Sequence, residues 1–201
     1  MKVIGLCGGS GSGKGTVSAL FMTHGFCNID TDAVYHDLIS YTSDLSIELA
    51  DAFGSSILSR GAIDRGVLSS IVFSGDNSRE KLDLLNRITH KHILNEVREL
   101  LLKYKSEGAR YVLVDAPLLF ESGFNNECDI VISVIADKDK RISRIMERDG
   151  ISFEAAKKRI SSQIDDEWLR QNSDFVIENN LSEAALACSV KKIYFEILEN
   201  Y

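Results

Sequence analysis

The sequence predicts an α/β fold, a five-stranded parallel sheet flanked by helices, and three observations predict it. Five short runs, KVIGLC, FCNID, RYVLVD, DIVISVI and DFVIEN, are rich in β-branched and aromatic residues and end at polar or glycine punctuation. Each is apolar almost without interruption, the pattern of strands covered on both faces in a parallel sheet. Between the runs, apolar residues recur at helical spacing.

Taken in order, KVIGLC leads into a glycine-rich stretch and then a helix carrying Val17, Leu20 and Phe21 on one face, with Gly25 suited to its end. FCNID follows as the second strand. About eighty residues then precede RYVLVD, where a simple crossover needs about a dozen, and an all-helical insert fits that interval. Within it, residues 78–104 form a long amphipathic helix with Leu82, Leu85, Ile88, Ile93, Val97, Leu100 and Leu101 along one broad stripe. DIVISVI is followed by the charged helical stretch DKDKRISRIMERDGISFEAAKKRI. After DFVIEN, the last helix aligns Leu186, Val190, Ile193 and Ile197 for packing on the sheet. With no internal repeat or low-complexity linker, a single domain over residues 1–201 is expected.

Composition narrows the function classes. The chain has 201 residues, 44% hydrophobic and 26% charged, as folded domains do, and no apolar run approaches the roughly 18 residues that cross a bilayer. No signal peptide is evident, so a cytoplasmic location is expected, with no membrane partner. The net charge of −7 argues against a nucleic-acid partner, which would require a basic face. Cys7, Cys27, Cys128 and Cys188 are scattered, without a C-x-x-C pair or a histidine cluster, and read as reduced, mostly buried thiols.

The stretch GLCGGSGSGKGTV contains G-x-x-x-x-G-K at Gly8, Gly13 and Lys14, between a strand and a helix. Bare backbone lets successive N–H groups converge on phosphate oxygens, and the following helix adds the positive end of its dipole. Gly9, Ser10, Gly11, Ser12, Gly13, Lys14, Gly15 and Thr16 are therefore the phosphate-binding candidates, and Lys14 brings a full charge to the outer phosphates. Gly15 takes the place of the Ser or Thr whose hydroxyl normally touches Mg²⁺; Thr16 comes next and can hold the metal directly or through water. Asp115, at the end of RYVLVD, is a second metal candidate through its bound water, or else it caps a following turn that Pro117 would open as a helix. No Asp-x-x-Gly follows Asp115 and the chain has no Asn-Lys-x-Asp, which removes most support for a GTPase switch.

Two further groups bear on chemistry. Asp30 and Asp32 sit in NIDTDAVYHDL at the carboxyl edge of the sheet, where open α/β folds bind ligands. Asp32 is either the carboxylate that accepts a proton from an attacking hydroxyl or the N-cap of the helix through Leu38. Arg141, Arg144 and Arg148 share one helix face; they form either a lid that closes over transferring phosphates or a solvated stripe paired with Glu147 and Asp149.

Together these segments, with IDTDAVYHDL, GAIDRGVLSSIVFSGDNSREKLDLLNRITHKHI, VDAPLLFESGFNNECDIVISV, RISRIMERDGISFEAAKKRISSQ and SDFVIENN, resemble the dephospho-CoA kinase family, in the nucleoside-monophosphate-kinase-like group of P-loop NTPases. The G-x-I-D-R-x-x-L and PLLFE-x-G segments discriminate most. The resemblance implies ATP-dependent phosphorylation of the ribose 3′-hydroxyl of dephospho-CoA with Mg²⁺, the last step of coenzyme A synthesis, and no obligatory protein partner. It implies a core of residues 1–34, 108–136 and 172–201, a helical substrate insert over 35–107 and a lid over 137–171. It assigns Asp32 as base, Lys14, Arg144 and Arg148 to catalysis, and Asn179 to the adenine. Arg65, and with it His90 and Arg141, go to the substrate side. Departures from the family pattern are Gly15 for Ser, His36 for Arg, Lys91 for the proline after His90, and Asn180 for Gly. Two other readings stay open: a kinase with a different acceptor, such as a nucleotide or sugar acid, and an ATP-binding regulator that transfers nothing.

Overall fold

A computed structural model describes residues 1–201 and divides into two compact units, Met1–Ile29 with Lys103–Tyr201, and Asp30–Leu102. The first unit is built on a five-stranded sheet of order β2-β5-β1-β6-β7, formed by β1 (Lys2–Cys7), β2 (Cys27–Asp30), β5 (Tyr111–Asp115), β6 (Ile130–Ile135) and β7 (Phe175–Glu178). β1 pairs parallel with β5 and β6, and β6 with β7. These are the five expected strands, each matched to within a residue. All six residues of β6 are buried, as an uninterrupted apolar run requires.

The helices of this unit are α1 (Lys14–Thr23), α6 (Lys138–Asp149), α7 (Phe153–Ser161), α8 (Asp166–Gln171) and α9 (Glu183–Asn200). α9 buries Leu186, Val190, Ile193 and Ile197, the stripe expected from its spacing, against Ile4, Leu6, Ile130, Ile132 and Val134 of the sheet and Val17 and Phe21 of α1. Each such side chain, fully buried, contributes about 1.5–3 kcal/mol. α1 ends as expected: Gly25 has φ 86° and its N–H donates to the Met22 carbonyl.

The second unit comprises α2 (Thr31–Ile39), α3 (Asp44–Phe53), α4 (Arg65–Val72) and most of α5 (Ser78–Ser106), around Leu45, Leu49, Ile57, Leu68, Val72 and Ile88. It is not all helical: β3 (Leu58–Ser59) and β4 (Ala62–Ile63) form an antiparallel hairpin. Its two-residue turn places Arg60 at φ 53° and Gly61 at φ 87°, the left-handed pair that a tight hairpin demands. Two-residue strands are too short to leave a periodic trace, so this departure was invisible to pattern. α5 runs unbroken through Lys91; a proline at that mid-helix position would remove a backbone hydrogen bond and kink it.

Two smaller expectations fail. Pro117 opens no helix: residues 117–123 are turns followed by a 3₁₀ segment, Phe124–Glu127. Among the cysteines only Cys7 is fully buried, and Cys188 is exposed. No helix is long and apolar enough to cross a membrane.

Candidate active site

The glycine-rich loop links β1 to α1 through three residues of positive φ: Gly8, Gly11 and Gly13. Gly13 is the N-cap of α1 and no side chain caps the helix; Thr16 and Val17 donate their N–H groups to the Gly13 carbonyl, which leaves those of Lys14 and Gly15 for an anion. The loop's carbonyls are held from the other side. Arg141, only 3% exposed, donates from Nε to the Ser10 carbonyl at 3.0 Å, from one terminal nitrogen to Asp166 at 2.9 Å and from the other to Gln163 Oε1 at 2.7 Å. One turn later, Arg144 donates to the Gly11 carbonyl at 3.0 Å and the Asn179 carbonyl at 3.2 Å. Buried Asn179 donates from its side chain to the Ser12 carbonyl at 2.8 Å. With the carbonyls of Ser10, Gly11 and Ser12 engaged by side-chain donors, the loop is braced by cations before any ligand arrives. The Ser12 hydroxyl is buried without a partner, a donor that an anion in the loop could satisfy.

Lys14 forms an ion pair with Asp115, which is 4% exposed. The pairing follows from register, because Leu6 of β1 lies beside Asp115 of β5. Cys7 closes the end of β1: its Sγ lies 3.0 Å from the Ser133 hydroxyl, and burial pushes the thiol up to about 11, which keeps it protonated. For Mg²⁺, the available donors are the exposed Thr16 hydroxyl and the Asp115 carboxylate, and no cluster of three or more His, Cys, Asp or Glu forms a metal cage. An all-oxygen, two-member set fits a Mg²⁺ that takes its remaining ligands from phosphate and water.

The other sequence-selected residues are placed as follows. Asp30 is the N-cap of α2, accepting from the backbone N–H groups of Asp32 and Ala33, so the capping alternative for Asp32 is overturned. Asp32 is exposed in the first turn of α2. In the same unit, Arg65 opens α4 near Tyr35, whose phenol is raised by burial and partly lowered by that guanidinium. His90 is half-buried on α5, and burial pulls its imidazole below the usual value. His36 is exposed in the last turn of α2. Arg148 stands apart from Arg141 and Arg144: it bonds Asp149 at 2.7 and 2.9 Å and leaves the loop untouched. Arg148, with Arg159, holds the Asp149 carboxyl far below the usual carboxylate range.

Sequence reasoning missed Gln163. Its Oε1 accepts from the Ser10 N–H at 3.1 Å as well as from Arg141, and its Nε2 donates to the Ser10 hydroxyl at 3.1 Å. A side-chain amide carries its acceptor and its donors on separate atoms and so can do both here, and the sole trace in the sequence is a glutamine just past a helix end.

The family model for dephospho-CoA kinase matches residues 2–184. A dephospho-CoA kinase from Corynebacterium glutamicum is 36% identical over 199 residues, covering 98% of both chains. Another, from Fusobacterium nucleatum, is 42% identical over 181 residues and covers 90% of each. The solved structure of a dephospho-CoA kinase from Campylobacter jejuni superposes with a TM-score of 0.71 at 30% identity, over 97% of this chain and 96% of that one. A braced phosphate loop on a parallel sheet, matched along nearly its whole length to these kinases, places the chain in the dephospho-CoA kinase family.

Proposed function

We propose that the loop from Gly8 to Thr16 holds the phosphates of ATP while the γ-phosphoryl group passes to the ribose 3′-hydroxyl of dephospho-CoA, giving coenzyme A and ADP. The observation that carries this reading is the bracing of that loop, whose carbonyls are tied back by Arg141, Arg144 and Asn179 while its helix N-terminus is left uncapped.

Phosphoryl transfer needs positioning and charge stabilisation more than covalent chemistry. Lys14 and Arg144 supply the positive charge beside the loop, and Arg148 joins them from segment 137–171 acting as a lid. Asn179 borders the adenine. Asp32 orients the acceptor hydroxyl and takes its proton late in the transfer; its support is its place just beyond β2 and the family resemblance. Arg65 and His90 belong to the acceptor side. Arg141 acts through the loop, since its guanidinium is buried and fully engaged. Thr16 and Asp115 would hold Mg²⁺, which neutralises charge on the outer phosphates. Closure of the lid excludes water that would otherwise hydrolyse ATP. Four free cysteines accord with a reducing, cytoplasmic setting.

The test is a turnover panel of dephospho-CoA, nucleoside monophosphates and gluconate, read by product mass. Product from dephospho-CoA alone is expected. Lys14→Ala should lose activity, and Asp32→Asn should lower kcat by about 100-fold, within the usual range for general-base assistance, while ATP still binds. Wild-type turnover by Asp32→Asn would remove the base assignment, and ATP binding with no product from any acceptor would make the chain a regulator.

A further inference from the structure

Ser10 stands between Gly9 and Gly11, and every polar group it carries is engaged. Its N–H donates to Gln163 Oε1 at 3.1 Å, its hydroxyl accepts from Gln163 Nε2 at 3.1 Å, and its carbonyl accepts from Arg141 Nε at 3.0 Å. Gln163 Oε1 also accepts from one terminal nitrogen of Arg141 at 2.7 Å, while the other binds Asp166 at 2.9 Å. Ser10, Arg141 and Gln163 thus close a ring of hydrogen bonds with Asp166 behind it. The ring lies tight on the loop: a β-carbon on Gly9 would stand 2.8 Å from Gln163 Oε1.

The members of this ring are not equally fixed. Arg141 belongs to α6, whose apolar face packs on α7. Gln163 lies past the end of α7, outside any helix, and its backbone N–H donates to the Ile160 carbonyl at 3.1 Å, so its position follows the end of that helix. Three residues further on, Asp166 opens α8 and pairs with Arg141. The joint between α7 and α8 is therefore docked through two side chains, and Gln163 is the one that touches the loop itself.

Gly8, Gly9, Gly11 and Gly13 make the loop rich in the residue that loses most conformational freedom on ordering. Such a loop binds phosphate well when something else has ordered it beforehand. We infer that Gln163 is a positioning residue for the nucleotide: by clamping Ser10 to Arg141 it fixes the loop in its phosphate-ready shape, and it makes that shape depend on the α7–α8 joint being seated. Segment 137–171 and the phosphate loop are then one coupled device, with the loop ordered while the joint is docked and loosened when it lifts. The inference rests on the reading of the loop as the ATP phosphate site, and not on the identity of the acceptor.

The experiment measures the Kd of ATP by calorimetry without acceptor, and KM for ATP and for dephospho-CoA by product mass. Gln163→Ala leaves the Ser10 N–H without its acceptor and should weaken ATP about tenfold in both Kd and KM, the scale of one buried hydrogen bond, with KM for dephospho-CoA within about twofold. Gln163→Met, which keeps the length of the side chain and removes its polar atoms, should match it and serves where the shorter side chain does not fold. Gln163→Glu keeps both accepting contacts, and the Ser10 hydroxyl can turn to donate, so ATP affinity should return to within about threefold of the wild type. Ser10→Ala removes the hydroxyl contact alone and should cost about threefold, with nothing further lost when it is added to Gln163→Ala. A merely structural role predicts a lower urea midpoint with an unchanged Kd for ATP. That result, equal rises in both KM values, or a loss that Gln163→Glu does not restore would overturn the inference. Wild-type protein that binds ATP but makes no product from dephospho-CoA would end the acceptor reading alone, since the Kd values still decide the role of Gln163.

Discussion

A β-carbon at Gly9, Gly11 or Gly13 would collide with Arg141 or Asn179 before it met any ligand; at Gly11 it would stand 2.6 Å from the Arg141 carbonyl oxygen. The bareness of the loop is therefore set by its braces as much as by phosphate. Gly15 is different: a β-carbon there would meet nothing within 4 Å, and its φ is not in the left-handed region. A side chain fits, so the missing hydroxyl is a matter of residue choice, not of space. Gly15→Ser is expected to lower KM for magnesium-ATP about fivefold, the net value of roughly one added ligand contact, across a magnesium titration. An unchanged KM would mean that Thr16 already supplies that oxygen.

Among the elements, α6 does most to shape the loop. Its buried face, with Ile142 and Ile145 against Ala156 and Ile160 of α7, fixes the helix so that Arg141 and Arg144 reach the loop carbonyls. Arg148 lies one turn further on, near the helix end, and finds Asp149 instead. A shared face was legible in the spacing; which arginines reach the loop was not. In α5, the Lys91 ammonium pairs with Glu48 of α3 at 2.6 Å, and the His92 ring nitrogen lies 2.6 Å from the same carboxylate. The same helix carries His90, whose imidazole burial holds below the usual value near 6.5. Folding thus favours the neutral ring, and the unfolded chain binds the more protons between the two values. The stabilisation is complete above about pH 6.5 and is lost as pH falls through the folded value. Urea midpoints measured from pH 7.5 to 5 should fall more for the wild type than for His90→Gln; parallel curves would show that His90 does not carry the dependence.

On the scale of the whole molecule, a net charge of −7 coexists with a loop held by two arginines and flanked by a lysine that pairs with Asp115, so any affinity for an anion must be local. Nucleotide binding should then appear as stability of the unit that carries the loop. At ATP a hundredfold above its Kd, linkage contributes about 2.7 kcal/mol, which raises Tm by about 5–10 °C for a chain of this size. Lys14→Ala should lose most of that shift in a thermal scan; a full shift would move phosphate binding away from the loop.

The sequence by itself determined the five strands, the long α5, the buried face of α9 and the phosphate loop, because apolar periodicity and glycine spacing are local consequences of strand and helix geometry. It also carried the family, through the resemblance of segments such as PLLFE. Tertiary structure alone decided that Asp30 and not Asp32 caps α2, that Lys14 pairs with Asp115, and that Gln163 grips Ser10. Those outcomes join residues as far as 153 positions apart, and no local pattern records which distant side chain a folded backbone will bring within hydrogen-bonding reach.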